Sequence, residues 1–345
     1  MATQLTRNFI RPIASLLLAG LLGGCATVKN NAVEAAIAVL AADKPVYIAP
    51  ALSFFPQKAL HCGPAALAMV LADLGYVVTP EKIAPLAFLP GRNGTLQLEM
   101  VAAARRYGAF TAPVAPRLDA LLTEVASGHS PIVLLNLGLS WAARWHYATV
   151  IGYDLHKNTI SLRSGLDENQ VMSLFTFRHV WHRAKNWAFS VHNPGELPTN
   201  AGQRDLVKSA LAFERVNQGS PSLAVWQAIA NRWPNDKTAH VGVGNQAYLL
   251  GDLQGARIAF QQASTIDPQS TVAWNNLAVV LTDMGDLPAA HAALSKVDSL
   301  GGRNKRQIAQ TRQALHRAER CQLSLDVAKV SSRTTSDGGN STICQ

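Results

Sequence analysis

Cys62 stands directly before Gly63 and Pro64 and an apolar run through Leu71 that closes at Gly75. The run reads as a buried helix, and proline suits its first turn because the N–H it lacks would be unpaired there anyway. A cysteine at such a helix start meets free backbone N–H groups and the positive end of the dipole, which favour a thiolate. The chemistry this permits is attack on a carbonyl carbon. That attack requires a base for the thiol proton, near in space rather than in sequence. His146, heading the strand-like run 147–153, offers the imidazole. Charge developing on the carbonyl oxygen requires a donor. Gln57, five residues before Cys62, has a side-chain amide, and Cys62 has its own backbone N–H. A small buried hydrophobe is the plain alternative for residue 62.

Positioning these groups requires an ordered framework, and the pattern around them supplies one. Helices are predicted over 63–74, leading into Pro80–Ala87, then through Tyr107 (with Thr95 as cap and Gly108 as stop) and over 118–127. β-Branched or aromatic runs bounded by turn residues predict strands at 131–137, 147–153, 159–162 and 187–191. Helices first and strands afterwards indicate an α+β domain, its sheet packed on the opening helix.

The segments Gln57-(x4)-Cys62-Gly63-Pro64-Ala65-Ala66-Leu67 and His146-Tyr147, with the following strand to Asp154, carry a family resemblance. They resemble the double-glycine (bacteriocin-processing) peptidase-like branch of the papain-like cysteine peptidases, over residues 51–192. The resemblance implies Cys62 as nucleophile, His146 as general base, Gln57 as oxyanion residue, and cleavage after small residues such as Gly-Gly. Such enzymes usually carry an Asp-Pro or Asn-Pro pair on the next strand, where the side chain orients the histidine. Here that strand reads Ile160-Ser161-Leu162-Arg163-Ser164-Gly165. Ser164 falls closest to the missing acid, and Asp167 lies three residues beyond. Loss of the orienting group weakens a triad of this kind without abolishing it.

Arg7 and Arg11, the apolar run 13–22 and Gly23-Gly24 ahead of Cys25 describe a secretory signal, too short for a transmembrane helix. Leu22-Gly23-Gly24-Cys25 resembles the lipobox of bacterial lipoproteins. That implies a signal over 1–24, a lipidated Cys25 and a protein held on the outer membrane, facing the periplasm. Residues 25–50 then read as a tether, helical around Val33–Ala42 and extended over Pro45–Pro50. The formal charge of +9 is concentrated at the far end, where residues 301–345 carry eight Lys/Arg against three Asp/Glu. No basic face interleaved with aromatics accompanies them, so nucleic acid is not an expected partner.

Residues 193–205 are rich in Pro, Gly and Asn and read as a linker. Beyond them Gly251/Gly285, Asp252/Asp286, Ala256/Ala290 and Ala259/Ala293 recur at a 34-residue step, as do Trp226, Phe260 and Leu294. The period and its Gly-Asp turn resemble tetratricopeptide repeats. They give an all-α repeat domain over 206–320, with clear repeats at 238–270 and 271–303 and a capping helix at 305–320. The polar residues 321–345 read as a disordered tail. Cys321 and Cys344 could pair in an oxidising compartment, although a disulfide across such a tail has no packing reason.

His61 is expected to point away from Cys62. His179 and His182 lack further ligands, so no metal site is expected there, and no cofactor is implied. Trp141, Trp145, Trp181 and Trp187 read as core or cleft wall, and Asn136 as a hydrogen-bonded structural residue. The expected function is peptide-bond hydrolysis on a peptide or protein substrate, with the repeats recruiting substrate or a protein partner. The alternative is an inactive peptidase-like lipoprotein acting as a scaffold through its repeats.

Overall fold

The computed structural model describes residues 33–50, 53–57, 60–92, 94–302 and 304–334. Cys25 and Cys344 lie outside them, as does the signal segment. The chain divides into two compact units, one ending at Asn193 with Pro198–Gly202 added, the other comprising Pro194–Leu197 and the chain from Gln203 onward.

The first unit is built on an antiparallel sheet. Its strands are β1 (Val46–Ile48), β4 (Phe110–Pro113), β5 (Ile132–Asn136), β6 (Trp145–Asp154), β7 (Thr159–Ser164), β8 (Asp167–Ser173) and β9 (Ala188–His192). They run in the order β4-β9-β5-β6-β7-β8, with β1 added to the far half of β6. Phe88–Leu89 (β2) and Gly94–Thr95 (β3) make a separate small ladder. Both faces of the sheet are covered, which explains why its central strands are apolar on both sides. Ile132, Leu134, Tyr147, Phe189 and Val191 join one core with α2 (Cys62–Asp73), α3 (Pro80–Ala87) and α4 (Gln97–Arg106). Val133, Leu135, Ala148 and Val150 join the other, with α5 (Leu118–Ala126) and α6 (Leu174–His182).

Several expectations are corrected. Thr95 does not cap α4, whose N-cap is Leu96; it is held in β3 instead. Residues 33–48 are not a free tether. Helix α1 (33–43) lays Ile37 and Leu40 on the second core, Tyr153 Oη donates to Lys44 O at 2.9 Å, and β1 pairs with β6. Apolar residues spaced along 33–48 are what make this packing favourable.

The second unit is helical: α7 (Gln203–Glu214), α8 (Ser220–Arg232), α9 (Lys237–Leu249), α10 (Leu253–Ile266), α11 (Thr271–Asp283), α12 (Leu287–Ser299) and α13 (Lys305–Thr334). The 34-residue step is physical. Asp252 caps α10 through Gly255 N–H and Asp286 caps α12 through Ala289 N–H. Gly251 and Gly285 turn at φ +79° and +77°, a conformation that disfavours a side chain. Trp226, Phe260 and Leu294 are all buried. The first helix pair begins at Gln203, inside the segment read as linker. Helix α13 runs through residues 321–334, which were read as tail; no glycine or proline interrupts the chain there before Gly338. Cys321, on α13, is disulfide-bonded.

Candidate active site

Helix α2 is apolar around its whole circumference, and Gly63 through Leu71 are buried. It is therefore fixed as a central core helix, with Cys62 at its first position and only partly buried. Gly63 is required there: a Cβ would lie 2.9 Å from Thr95 Cβ and 3.0 Å from Met100 Sδ.

One hydrogen bond joins α2 to β6, and charge effects at either end of the helix agree with the same alignment. The thiol end acts on Tyr147, whose phenol is pushed well above its ordinary range by burial and by the charge of Cys62. Midway, Thr149 Oγ1 donates to Ala66 O at 3.4 Å. At the far end, Asp73 adds to burial in raising the phenol of Tyr47, which pairs with Tyr153. Helix and strand thus run in the same direction, and Cys62 and His146 share one end of the pair. Tyr147 Oη donates to Thr95 O at 3.2 Å and ties this end to β3.

The imidazole of His146 meets Ser164, Nε2 to Oγ at 2.8 Å. The serine occupies the place of the expected acid. Asp167 pairs with Ser164 across the β7–β8 turn, but it is exposed and no hydrogen bond joins it to His146. Burial, reinforced by the positive charge of Arg144, lowers the His146 pKa below its ordinary 6.5. The neutral base is therefore favoured.

Gln57 enters from a separate segment. Its backbone N–H donates to Gly165 O at 3.1 Å, one residue beyond Ser164. Its Nε2 is buried and has no hydrogen-bond partner among the described residues. Such donors are rare and require an explanation. Next to this corner lies a cavity of about 520 Å³, walled by Pro56, His61, Ala65, Pro80, Ala84 and Phe88. His61 stacks on Phe88 at 5.1 Å.

Other residues take structural places. Asn136 Oδ1 accepts the N–H groups of Gly138 and Arg144, both at 3.0 Å, and shapes the loop ahead of His146. Trp181 is core; Trp141 and Trp145 are exposed. His179 binds Phe175 O on its own helix. Thr95, which with Tyr147 ties this end of the domain together, gave no sequence signal beyond that of an expected cap.

Residues 50–189 match the model of the Peptidase_C39 like family, a span that contains Gln57, Cys62, His146, Ser164 and Asp167. Among solved structures the chain is similar to a C39-like peptidase from Bacillus anthracis, at 16% identity over 45% of this chain and 99% of that one, TM-score 0.38. It is also similar to the peptidase domain of Streptococcus ComA, a bifunctional ABC transporter of a quorum-sensing pathway (23% identity, 41% and 98% covered, TM-score 0.35). A third is a double glycine motif protease of an AMS/PCAT transporter in complex with a leader peptide (20% identity, 43% and 93% covered, TM-score 0.32). No curated protein matches the chain. The first unit is a C39-like peptidase domain with an antiparallel sheet, and a helical region follows it.

Proposed function

We propose that the protein is a cysteine peptidase that hydrolyses peptide bonds through Cys62, His146 and Gln57. Cys62 Sγ attacks the carbonyl carbon while His146 accepts the thiol proton. Gln57 Nε2 and the Cys62 backbone N–H donate to the oxyanion. His146 then returns the proton to the leaving amine, and water releases the acyl group. The carrying observation is the unsatisfied, buried Gln57 amide, anchored beside the His146–Ser164 pair. A donor held without a partner is pre-organised for charge that exists only during reaction. The resemblance to double-glycine peptidases favours substrates cut after small residues. The cavity lined by His61 and Ala65, which flank Cys62 in sequence, is mostly apolar apart from His61 and Glu81 and suits apolar residues of such a peptide.

In this reading the mature chain begins at a lipidated Cys25 and faces the periplasm, supported by the lipobox-like residues 22–25. The 34-residue helix pairs, read as tetratricopeptide repeats, recruit substrate or a protein partner. A second reading, an inactive scaffold, is favoured by one observation: Ser164 stands where a carboxylate or amide would hold His146.

Activity separates the two. Gln57→Ala should cost about 10²–10³ in kcat with little change in KM, the usual loss for one oxyanion donor; steady-state kinetics on Gly-Gly peptides would show it. An inactive wild type whose Cys62 alkylation ignores His146→Ala would favour the scaffold. The acid limb of kcat/KM should fall below pH 6.5, because burial and Arg144 keep His146 neutral to lower pH. Ser164→Asp should move that limb upward by about 1–2 units, since an adjacent anion stabilises the imidazolium.

A further inference from the structure

We propose that Glu124, His129 and His192 form a divalent-metal site, best matched to Zn²⁺, on the sheet face opposite α2. Glu124 lies in the last turn of α5, His129 follows the turn at Gly128, and His192 ends β9. Glu124 and His129 lie five residues apart, and His192 is brought to them from the far end of the domain's sequence. The side chains of Glu124 and His192 are 2% and 0% exposed, and that of His129 is 24% exposed, which leaves one way in for an ion.

The donor geometry carries the inference. Glu124 Oε1 lies 3.3 Å from His129 Nδ1 and 3.3 Å from His192 Nε2, and the ligand atoms of all three lie within 4.8 Å of one another. Zinc bonds of about 2.0–2.1 Å at tetrahedral angles separate donors by roughly 3.3–3.4 Å. Two of the three separations already match. The carboxylate is divided in function: Oε2 accepts the Thr199 N–H at 3.1 Å, while Oε1 is buried without a hydrogen-bond partner among the described residues. One oxygen is thus oriented from outside and the other left for a cation, the usual division around a bound metal. The two imidazole rings meet edge to face at 4.4 Å. Ser190 Oγ now holds His192 Nε2 at 2.7 Å, a hydrogen bond that would give way when that nitrogen binds the ion, and water would complete the coordination.

The ligand set also selects the ion. Two imidazoles with one carboxylate suit zinc and its neighbours; calcium and magnesium require oxygen. Without a cation, Glu124 Oε1 has the two imidazole nitrogens at 3.3 Å as its partners, and it needs a proton on one of them to be stabilised there; a bound ion would supply that charge instead. A bound ion would hold the end of α5 to β9, a staple for the fold and independent of Cys62 chemistry. The sequence does not mark this group, because Glu124 and His129 stand five residues apart without a recognised ligand spacing and His192 lies 63 residues beyond.

The test uses the full chain with Cys62→Ala, which removes a competing thiol, and a tag free of histidine. After chelator treatment, Zn²⁺ is titrated by calorimetry and Co²⁺ by visible absorption. One ion per chain, Co²⁺ bands of a nitrogen- and oxygen-ligated tetrahedral site, and a thermal midpoint raised by Zn²⁺ are expected. His129→Ala, the least buried change, should weaken binding at least about 100-fold, beyond the loss of an outer-shell partner. Glu124→Gln keeps the side chain's shape and should do the same, should the alanine variant fail to fold. No binding by the parent, or binding that survives both substitutions, overturns the proposal.

Discussion

Cys62→Ala should lower peptide hydrolysis by roughly 10³-fold or more while leaving the first unit folded. The two halves of this expectation rest on different facts. Chemically, without the sulfur no acyl intermediate can form, and only the oxyanion donors remain. Structurally, the side chain sits at the partly exposed first position of α2, ahead of the buried run Gly63–Leu71 that fixes the helix. His146→Ala should cost about as much, and the double variant little more, because the two groups act as one device. Single-turnover assays that trap the acyl-enzyme, run beside circular dichroism, would check both halves. Equal rates in wild type and Cys62→Ala would assign any hydrolysis to a contaminant and return the function to the repeats.

Trp226→Ala should destabilise the helical unit by about 3–5 kcal/mol, within the range for deleting a large buried ring. The indole is 1% exposed, and its Nε1 donates to Glu214 Oε2 at 2.8 Å. Gln246 Nε2 binds the other oxygen of the same carboxylate at 2.7 Å. Truncation therefore opens a cavity and also removes one of two donors to Glu214. Stacked helix pairs stabilise only their neighbours, so α7 to α10 should loosen before α11 to α13. Hydrogen exchange across the unit would show that gradient; uniform loss would mean a single cooperative core.

The site was legible in the sequence to the extent that chemistry depends on residue type. Cys62 before Gly-Pro, Gln57 at its fixed offset and His146 at the head of a strand all carry local signals, and a central helix and strand were visible from their apolar runs. What could not be read arises from tertiary context. β8, with the sequence DENQVMS, is a polar edge strand with Val171 exposed, so no alternating apolar face announces it. β4 is four residues long and ends in proline. Residues 33–48 read as a tether despite their many apolar side chains, because five of these are small alanines and only the sheet shows what Ile37, Leu40 and Tyr47 cover. Ser164 was the nearest candidate by position, but its contact with the His146 ring depends on how β6 and β7 pair. The Glu124–His129–His192 group was invisible for the same reason.

The pairing of β1 with β6 has a mechanical consequence. Its register runs Val46 to Asp154, Tyr47 to Tyr153 and Ile48 to Gly152. Tension arriving at residue 33 would meet α1 on the second core, then the contacts of Lys44 with Ala126 O and Tyr153, and only then that short ladder. His146 lies near the opposite end of the same strand, about 23 Å away at about 3.3 Å per residue. Force would have to strip β1 before it reached the imidazole. The first segment of the domain can therefore be pulled without disturbing the pairing of His146 with Ser164.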